Sequence, residues 1–330
     1  MFRLRPTAPL VFLSALAAAL HAMPTMAADL TPLKINSFPN AKALPLQVGM
    51  AKGFFARRGL KVELELTESS KAQRDGLAGG KFQIAQSAID NAVAMIEGAK
   101  QDVVILSGGD SGMNEFFVQA PINSFAELRG RTVLVDAPDT AYALQVKKLL
   151  TQHGVAAGDY TAKPVGAGVF RLKAMLEDKN NAAAILNLPF TVEAAQAGMR
   201  SLGRTVDLLG PYQAAGGFAL RAFAEHNRDT VERYLAAYVE ALRWIRDGAN
   251  RAEAIGLLVS EQKLAAETAA RTYEQLIDPA FGFTPDAKFD MQGFHNMMAL
   301  RAEVEGKTTA APERYLDFSY YDRALQMAGR

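Results

Sequence analysis

The sequence predicts an α/β protein built as two similar lobes, and three observations carry that prediction. Apolar alternation and helical spacing take turns over residues 33–106 in the order βαβαβαβ, the pattern of a mostly parallel sheet covered on both faces. A similar order returns over residues 132–186. The chain has 330 residues, and at that length a single core divides into two domains of ordinary size.

Residues 33–66 hold one complete strand–helix–strand unit. Leu33 and Ile35, then Val62, Leu64 and Leu66, alternate as strands do, while residues 44–58 have helical spacing and stop at Gly59. Between them lies Ser37-Phe38-Pro39-Asn40-Ala41. This polar corner falls at the carboxyl end of a strand, where open α/β sheets bind ligands. Residues 69–79 read as a surface helix stopped by Gly79-Gly80, residues 83–87 as a short strand, and 91–100 as a helix. Residues 103–106 are a buried strand that breaks at Ser107-Gly108-Gly109.

Phe116-Phe117-Val118-Gln119 is a strand leaving the first lobe, and Ser124-Phe125-Ala126-Glu127 has the form of a capping box. The second lobe then runs strand 132–135, helix 140–153, strand 160–165, helix 170–177 and strand 183–186, ending at Asn187-Leu188-Pro189. Pro189 opens a helix that runs to Gly198. The lobes echo each other: one helix closes on Arg57-Arg58-Gly59 and another on His153-Gly154. Cations in a last turn oppose the helix dipole, and glycine takes the left-handed cap. Residues 216–220 return as a strand to the first lobe, after which the chain is helical to its end. There Val231, Tyr234, Leu235, Tyr238, Leu242 and Ile245 form one apolar stripe, with Trp244 at a core edge and an aromatic segment, 315–321, over core.

Arg3 and Arg5 precede an alanine-rich apolar run, residues 8–20, too short to span a bilayer. Residues 1–27 are therefore expected to be a cleavable signal peptide. Its loss removes two arginines, leaves 303 residues and changes the net charge from +1 to −1. Near neutrality argues against a nucleic-acid or anionic-membrane partner. The absence of cysteine excludes disulfides, thiolate metal sites, cysteine nucleophiles and lipid attachment at an amino-terminal cysteine.

Gly109-Asp110-Ser111-Gly112 matches the nucleophile loop of chymotrypsin-like proteases. That chemistry needs a histidine base ahead of the serine, and the one upstream histidine, His21, lies in the signal peptide, so a turn is expected instead. His153, His226 and His295 stand singly, without a metal-binding or general-base neighbourhood. Gly166-Ala167-Gly168 lacks the third glycine of a dinucleotide loop, Arg171 standing there. What remains is a set of small or polar residues at the ends of successive strands: Ser37, Ser87, Ser107-Gly108, Asp136 and Asn187. Each precedes a helix start, so N–H groups and hydroxyls converge on one crevice. No catalytic residue, metal or cofactor is expected.

Four stretches, in this order, carry a family resemblance: Ala51-Lys52-Gly53-Phe54-Phe55 with Gly59-Leu60-Lys61-Val62; residues 78–85; residues 125–133; and the late helix with Tyr238 and Trp244. The chain resembles the nitrate/sulfonate/taurine-type periplasmic solute-binding proteins of ABC importers, a group that includes the thiamine-precursor binders. The resemblance implies the type II periplasmic-binding-protein fold, two α/β lobes around a ligand cleft joined by two crossover strands. Lobe 1 is then discontinuous, 28–115 and 219–330, and lobe 2 is 116–218. It also implies a periplasmic, monomeric protein that captures a small-molecule ligand and delivers it to an ABC permease in the inner membrane. Carried over by position, the ligand-binding residues are Ser37, Asn40 and Ala41; Ser87 and Ala88; and Asp139, Thr140 and Ala141, with Asn187 and Gly216 as further positions.

The inferred cleft carries Asp90, Asp110, Asp136 and Asp139, with Arg171 as its arginine. If two of these carboxylates face the ligand, a zwitterion such as taurine or a cationic thiamine precursor is favoured over a bare oxyanion. The ligand expected is a small organic molecule with an anionic head, with aromatic carboxylates and sulfonates both open. A periplasmic hydrolase using Asp110-Ser111, and a sensor presenting ligand to a membrane receptor, are the readings from other classes. A yeast-type pyrimidine synthase is excluded, because that family's cysteine-rich signature has no counterpart in a cysteine-free chain.

Overall fold

The computed structural model describes Met1, residues 29–306 and residues 310–329. The expected signal peptide, Met1 apart, lies outside the described residues.

The first lobe opens with strand β1 (Thr31–Ser37), a 3-10 turn (Ala41–Ala43), helices α1 (Leu44–Ala51) and α2 (Phe54–Arg57), and β2 (Leu60–Leu66). It continues through α3 (Ser70–Ala78), β3 (Ile84–Ala88), α4 (Asp90–Glu97) and β4 (Val103–Ile105). The second lobe holds β5 (Asn114–Val118), β6 (Thr132–Val135), α5 (Ala141–Gln152), β7 (Thr161–Pro164), α6 (Gly168–Glu177), β8 (Asn181–Asn187), α7 (Phe190–Gln196), β9 (Arg200–Arg204) and α8 (Thr205–Leu209). The chain then returns as β10 (Ala215–Leu220) and continues as α9 (Arg221–His226), α10 (Arg228–Arg246), α11 (Arg251–Gln262), α12 (Ala266–Leu276), α13 (Met291–Glu305) and α14 (Ser319–Met327).

Two five-stranded sheets form among the described residues, in the orders β2-β1-β3-β10-β4 and β7-β6-β8-β5-β9. They share one plan. In each, one strand pairs in parallel with the two that follow it, β1 with β2 and β3 and β6 with β7 and β8, as the βαβ order predicts. The fourth place is taken by the strand arriving from the other lobe, β10 in one sheet and β5 in the other, antiparallel to both neighbours. The expectation of mostly parallel sheets therefore needs this correction: a strand that crosses between lobes enters against the local direction. The crossings lie in residues 106–113 and 210–214.

Each sheet is covered on both faces. The stripe on α10 is fully buried and packs on α1, α2 and α14, with Phe55 and Tyr234 stacked 5.7 Å apart. Trp244 is half-buried against that core and lies beneath Lys52. The surface helix expected over 69–79 is α3, but Ser70 and Gln73 on it are buried. Its inward polar face belongs to the cleft. Among the described residues, no helix is long and apolar enough to cross a membrane.

Behind the first sheet, Arg301 of α13 is buried and bridges Asp90 of α4 and Glu305. The Tyr212 hydroxyl donates to the same Asp90 carboxylate at 3.0 Å. A buried charge deprived of its partner is far costlier than the pair is worth. Arg301→Ala should therefore destabilise the protein by roughly 3–5 kcal/mol, read from urea unfolding midpoints. A loss below about 1 kcal/mol, the scale of an exposed pair, would show that the network does not hold α13 to α4.

Candidate functional site

The carboxyl ends of both sheets open onto one cleft with an empty volume of about 760 Å³, solvent at its mouth included. Lobe 1 contributes the corner after β1. Asn40 accepts the Lys42 N–H at 3.0 Å and so caps the 3-10 turn. That turn presents Lys42 to the cleft, where Nζ meets Asp110 Oδ1 at 2.9 Å. Ser37 Oγ donates to the Gln86 carbonyl at 2.9 Å, tying the ends of β1 and β3 together. Tyr238 of α10, Tyr212 and Phe283 complete this wall. Burial raises both phenols above their ordinary range, the Asp110 charge adding to it at Tyr238 and the Asp90 charge at Tyr212. Both remain neutral at physiological pH.

Lobe 2 contributes Asp136 at the end of β6, Ala141 and Tyr142 at the start of α5, Gly168 and Arg171 in the first turn of α6, Asn114 of β5 and Asn187 of β8. Neither α5 nor α6 has a side-chain cap. Their first N–H groups, which have no partner within the helix, begin at the cleft. Arg171 is 1% exposed. It donates to the Ile185 and Gly166 carbonyls, its guanidinium stands 4.4 Å from the Tyr142 ring centre, and no carboxylate forms an ion pair with it among the described residues. Burial lowers its pKa, with Tyr142 and Asp136 opposing the shift.

The lobes are closed on each other. Asp136 of lobe 2 accepts the Ser70 N–H at 3.2 Å and the Ser70 hydroxyl at 2.5 Å, at the N-terminus of α3 in lobe 1. The Ala167 N–H reaches the Glu68 carbonyl at 2.8 Å and the Ala41 N–H reaches the Leu188 carbonyl at 3.0 Å. Outside the cleft, Arg74 pairs with Asp139 at 2.9 Å. The buried face of α3 carries the latch into the site: Gln73 bonds Asn36 and Ser87, and Asn91 joins Gln73 to Ser70.

Of the residues expected at the site, Ser37, Asn40, Ser87, Ala88, Ala141 and Asn187 line the cleft. Ala41, Asp139, Thr140 and Gly216 do not. Ala41 is buried beneath its turn, Asp139 faces Arg74, and Thr140 Oγ1 turns back to the Ala137 carbonyl at 2.8 Å. Gly216 lies in β10, where a Cβ would stand 2.2 Å from the Ser107 carbonyl oxygen. Ser111 is not among the lining residues, whereas Asp110 beside it is. The Gly109-Asp110-Ser111-Gly112 segment is the turn expected, with the Gly112 N–H bonded to the Asp110 carboxylate at 2.8 Å.

Of the four aspartates weighed for the cleft, two line it. Asp90 is held by Arg301, Asp139 by Arg74, Asp110 by Lys42 and Asp136 by Ser70. Only Asp110 and Asp136 line the cleft, balanced there by Lys42 and Arg171. Spacing along the chain could not reveal Lys42, Tyr238 or Phe283. Each lies in an element whose visible signal was a turn or a core stripe.

A family model described as "NMT1/THI5 like" matches residues 40–252. The bicarbonate-binding protein CmpA of Synechococcus elongatus is 32% identical over 88 residues, covering 24% of this chain and 20% of that protein. The matched stretch is thus about a fifth of the relative's length. Among solved structures, the periplasmic nitrate-binding protein NrtA of Synechocystis PCC 6803 superposes with a TM-score of 0.72 at 16% identity, over 91% of this chain and 89% of that one. The periplasmic aliphatic sulphonate-binding protein SsuA of Escherichia coli gives 0.67 at 18% identity, over 83% and 87%. The desulfurization enzyme DSZB shares the fold more distantly, at 0.61 and 15% identity, over 90% and 99%. The fold is that of the periplasmic binding proteins.

The latch makes a mechanical prediction. Ser70→Ala removes the hydroxyl bond to the Asp136 carboxylate, a charge-assisted contact worth about 1.5–3 kcal/mol, while leaving the backbone N–H in place. The closed arrangement should lose population, seen as a larger radius of gyration in small-angle X-ray scattering. An unchanged scattering profile would show that Ser70 does not hold the lobes together.

Proposed function

The chain belongs to the NMT1/THI5-like family, and on that premise we propose that it is the substrate-binding component of an ABC importer for a small organic anion. Arg171 carries this reading. A cation buried without an ion-pair partner is costly, and an anion in the cleft supplies that partner. The first turns of α5 and α6 add N–H groups and the positive ends of two helix dipoles. Bicarbonate, nitrate and sulphonate, which name the similar proteins, are all oxyanions.

The rest of the lining argues for an organic ligand over a small inorganic one. Phe38, Tyr142, Tyr238 and Phe283 give the cleft an aromatic wall suited to an apolar body. Sulfonates and aromatic carboxylates both satisfy head and body. A thiamine-precursor-like cation is the alternative ligand, because Asp110 and Asp136 both line the cleft. In this reading the protein is exported by its signal peptide, acts in the periplasm as a monomer, and hands ligand to an inner-membrane permease. In this reading it binds its ligand without turnover, which agrees with Ser111, the nucleophile a hydrolase would use, standing outside the cleft lining. Neighbouring genes for a permease and an ATPase would support import; a chemoreceptor gene in their place would favour ligand presentation.

Ligand that binds only the folded protein stabilises it, by about 2.7 kcal/mol at a hundred times Kd. Thermal-shift screening against alkyl and aryl sulfonates, aromatic carboxylates, nitrate, bicarbonate and neutral pyrimidines should give its largest shifts with organic acids. Shifts confined to neutral or cationic compounds, or none at all, would overturn the reading. Arg171→Lys keeps the charge but not the planar fork, so it should weaken the best acid at least tenfold in calorimetry while sparing the fold. Unaltered affinity in that variant would remove Arg171 from the binding site.

A further inference from the structure

A groove with an empty volume of about 830 Å³, open solvent included, lies between the lobes outside the cleft. Its lobe 2 wall carries Glu115 and Phe117 of β5, Thr191 and Val192 of α7, and Met199; its lobe 1 wall is α12, with Gln275. A hollow of about 230 Å³ continues it past Met113 and Leu188, sharing Glu115, Thr191 and Gln275. No residue lines both this groove and the cleft. Successive side chains of a strand point to opposite faces, and Asn114 of β5 goes to the cleft while Glu115 goes to the groove. Two contacts join the lobes beside it: the Thr268 hydroxyl donates to Gln196 Oε1 at 3.1 Å, and the Arg204 guanidinium stands 4.0 Å from the Phe281 ring centre.

The other charged groups of this lining are engaged. Arg271 pairs with Glu267, Glu274 with Arg251 and Arg204 with Asp207, each at 2.7 Å. Glu115 is the exception. In the sheet register it stands opposite Arg204 on β9, the place for a cross-strand ion pair. Arg204 turns instead to Asp207 and Phe281, and among the described residues the half-buried Glu115 carboxylate takes no hydrogen bond or ion pair. Thr191 is the second exception: it is 4% exposed, and its hydroxyl has no hydrogen-bond partner among the described residues. A buried hydroxyl without a partner costs stability that a valine of the same shape would not.

We propose that this groove is a second binding site, separate from the cleft, for a small organic cation with an apolar body. The Glu115 carboxylate pairs with the ammonium group, and the Thr191 hydroxyl, which can accept as well as donate, takes one of its N–H bonds. Phe117, Val192 and Met199 form an apolar floor for the body of the molecule. An anion has no free cation to meet here, because Arg204 and Arg271 already hold carboxylates. The groove's walls belong to different lobes, so its ligand bridges them at a place the cleft ligand does not touch.

Phenethylamine is the probe and 2-phenylethanol its neutral match, titrated into the purified protein with ¹³C-methyl-labelled methionine and followed by NMR. Met113 and Met199 report on the groove, and the exposed Met50 and Met291 serve as controls. The amine should shift the Met113 and Met199 methyls saturably, and the alcohol should bind more weakly. Glu115→Gln should weaken the amine about fivefold or more and leave the alcohol unchanged. Thr191→Val should weaken the amine about threefold without lowering the melting temperature, since the hydroxyl has no partner to lose inside the protein. An amine that leaves both groove methyls unmoved, binds no better than the alcohol, or binds Glu115→Gln as tightly as the parent would overturn the inference. No cleft residue takes part, so the importer reading stands or falls separately.

Discussion

The structure depends on two crossing segments that are hydrogen-bonded to each other. Asp110, in the first, accepts through its carbonyl from Ala214, in the second, and from Ala215, where β10 begins. Each segment then delivers a strand into the far sheet, antiparallel to its neighbours, so that neither sheet is complete without chain that has already visited the other lobe. The floor of the cleft is therefore fixed by backbone pairing while the walls above it are free to approach. Glycine marks the tightest place. At Gly216 a side chain would collide with the Ser107 carbonyl, and the floor could not close.

Above that floor the site is an exercise in where charge is left unpaired. Four aspartates and several cations lie in or near the cleft, and most are consumed by the protein itself. Asp90 and Arg301 lock α13 to α4, Arg74 and Asp139 span the outer seam, and Asp136 rests on the N-terminus of α3 through Ser70. These groups stabilise one arrangement of the lobes. What the cleft keeps is the Arg171 guanidinium, bonded to carbonyls but paired with no carboxylate among the described residues, and the Asp110–Lys42 pair across from the lobe 2 helix starts. Charges counted along the sequence do not show this; their pairing in the fold does.

The same distinction runs through the elements. The expected strands and helices formed because their periodicities are local properties of the chain, and the corners Ser37, Asn40, Ser87, Ala88, Ala141 and Asn187 fall at the cleft because parallel βα units place strand ends together. Asn40 acts there as a cap as well as a lining group. The positions that strayed, Ala41, Asp139, Thr140 and Gly216, lie one or two residues from lining ones. A single step along a turn or strand reverses which way a side chain points. The helix α3 shows the limit from the other direction: a polar sequence looks like a solvated surface, yet Gln73 is fully buried because Asn36, Ser87 and Asn91 satisfy it.

By itself the sequence determined the alternation of strands and helices, the division into two lobes, the family and the general place of the cleft, since each follows from local pattern and short-range order. Only the tertiary structure decided the strand order with its two reversed entrants, the closed contact between the lobes, and the identity of Lys42, Asp110, Arg171 and Tyr238 as neighbours in one site. Those residues are separated by tens of positions. Their meeting is set by long-range packing and by which charges find partners, and neither quantity is written in the spacing of the chain.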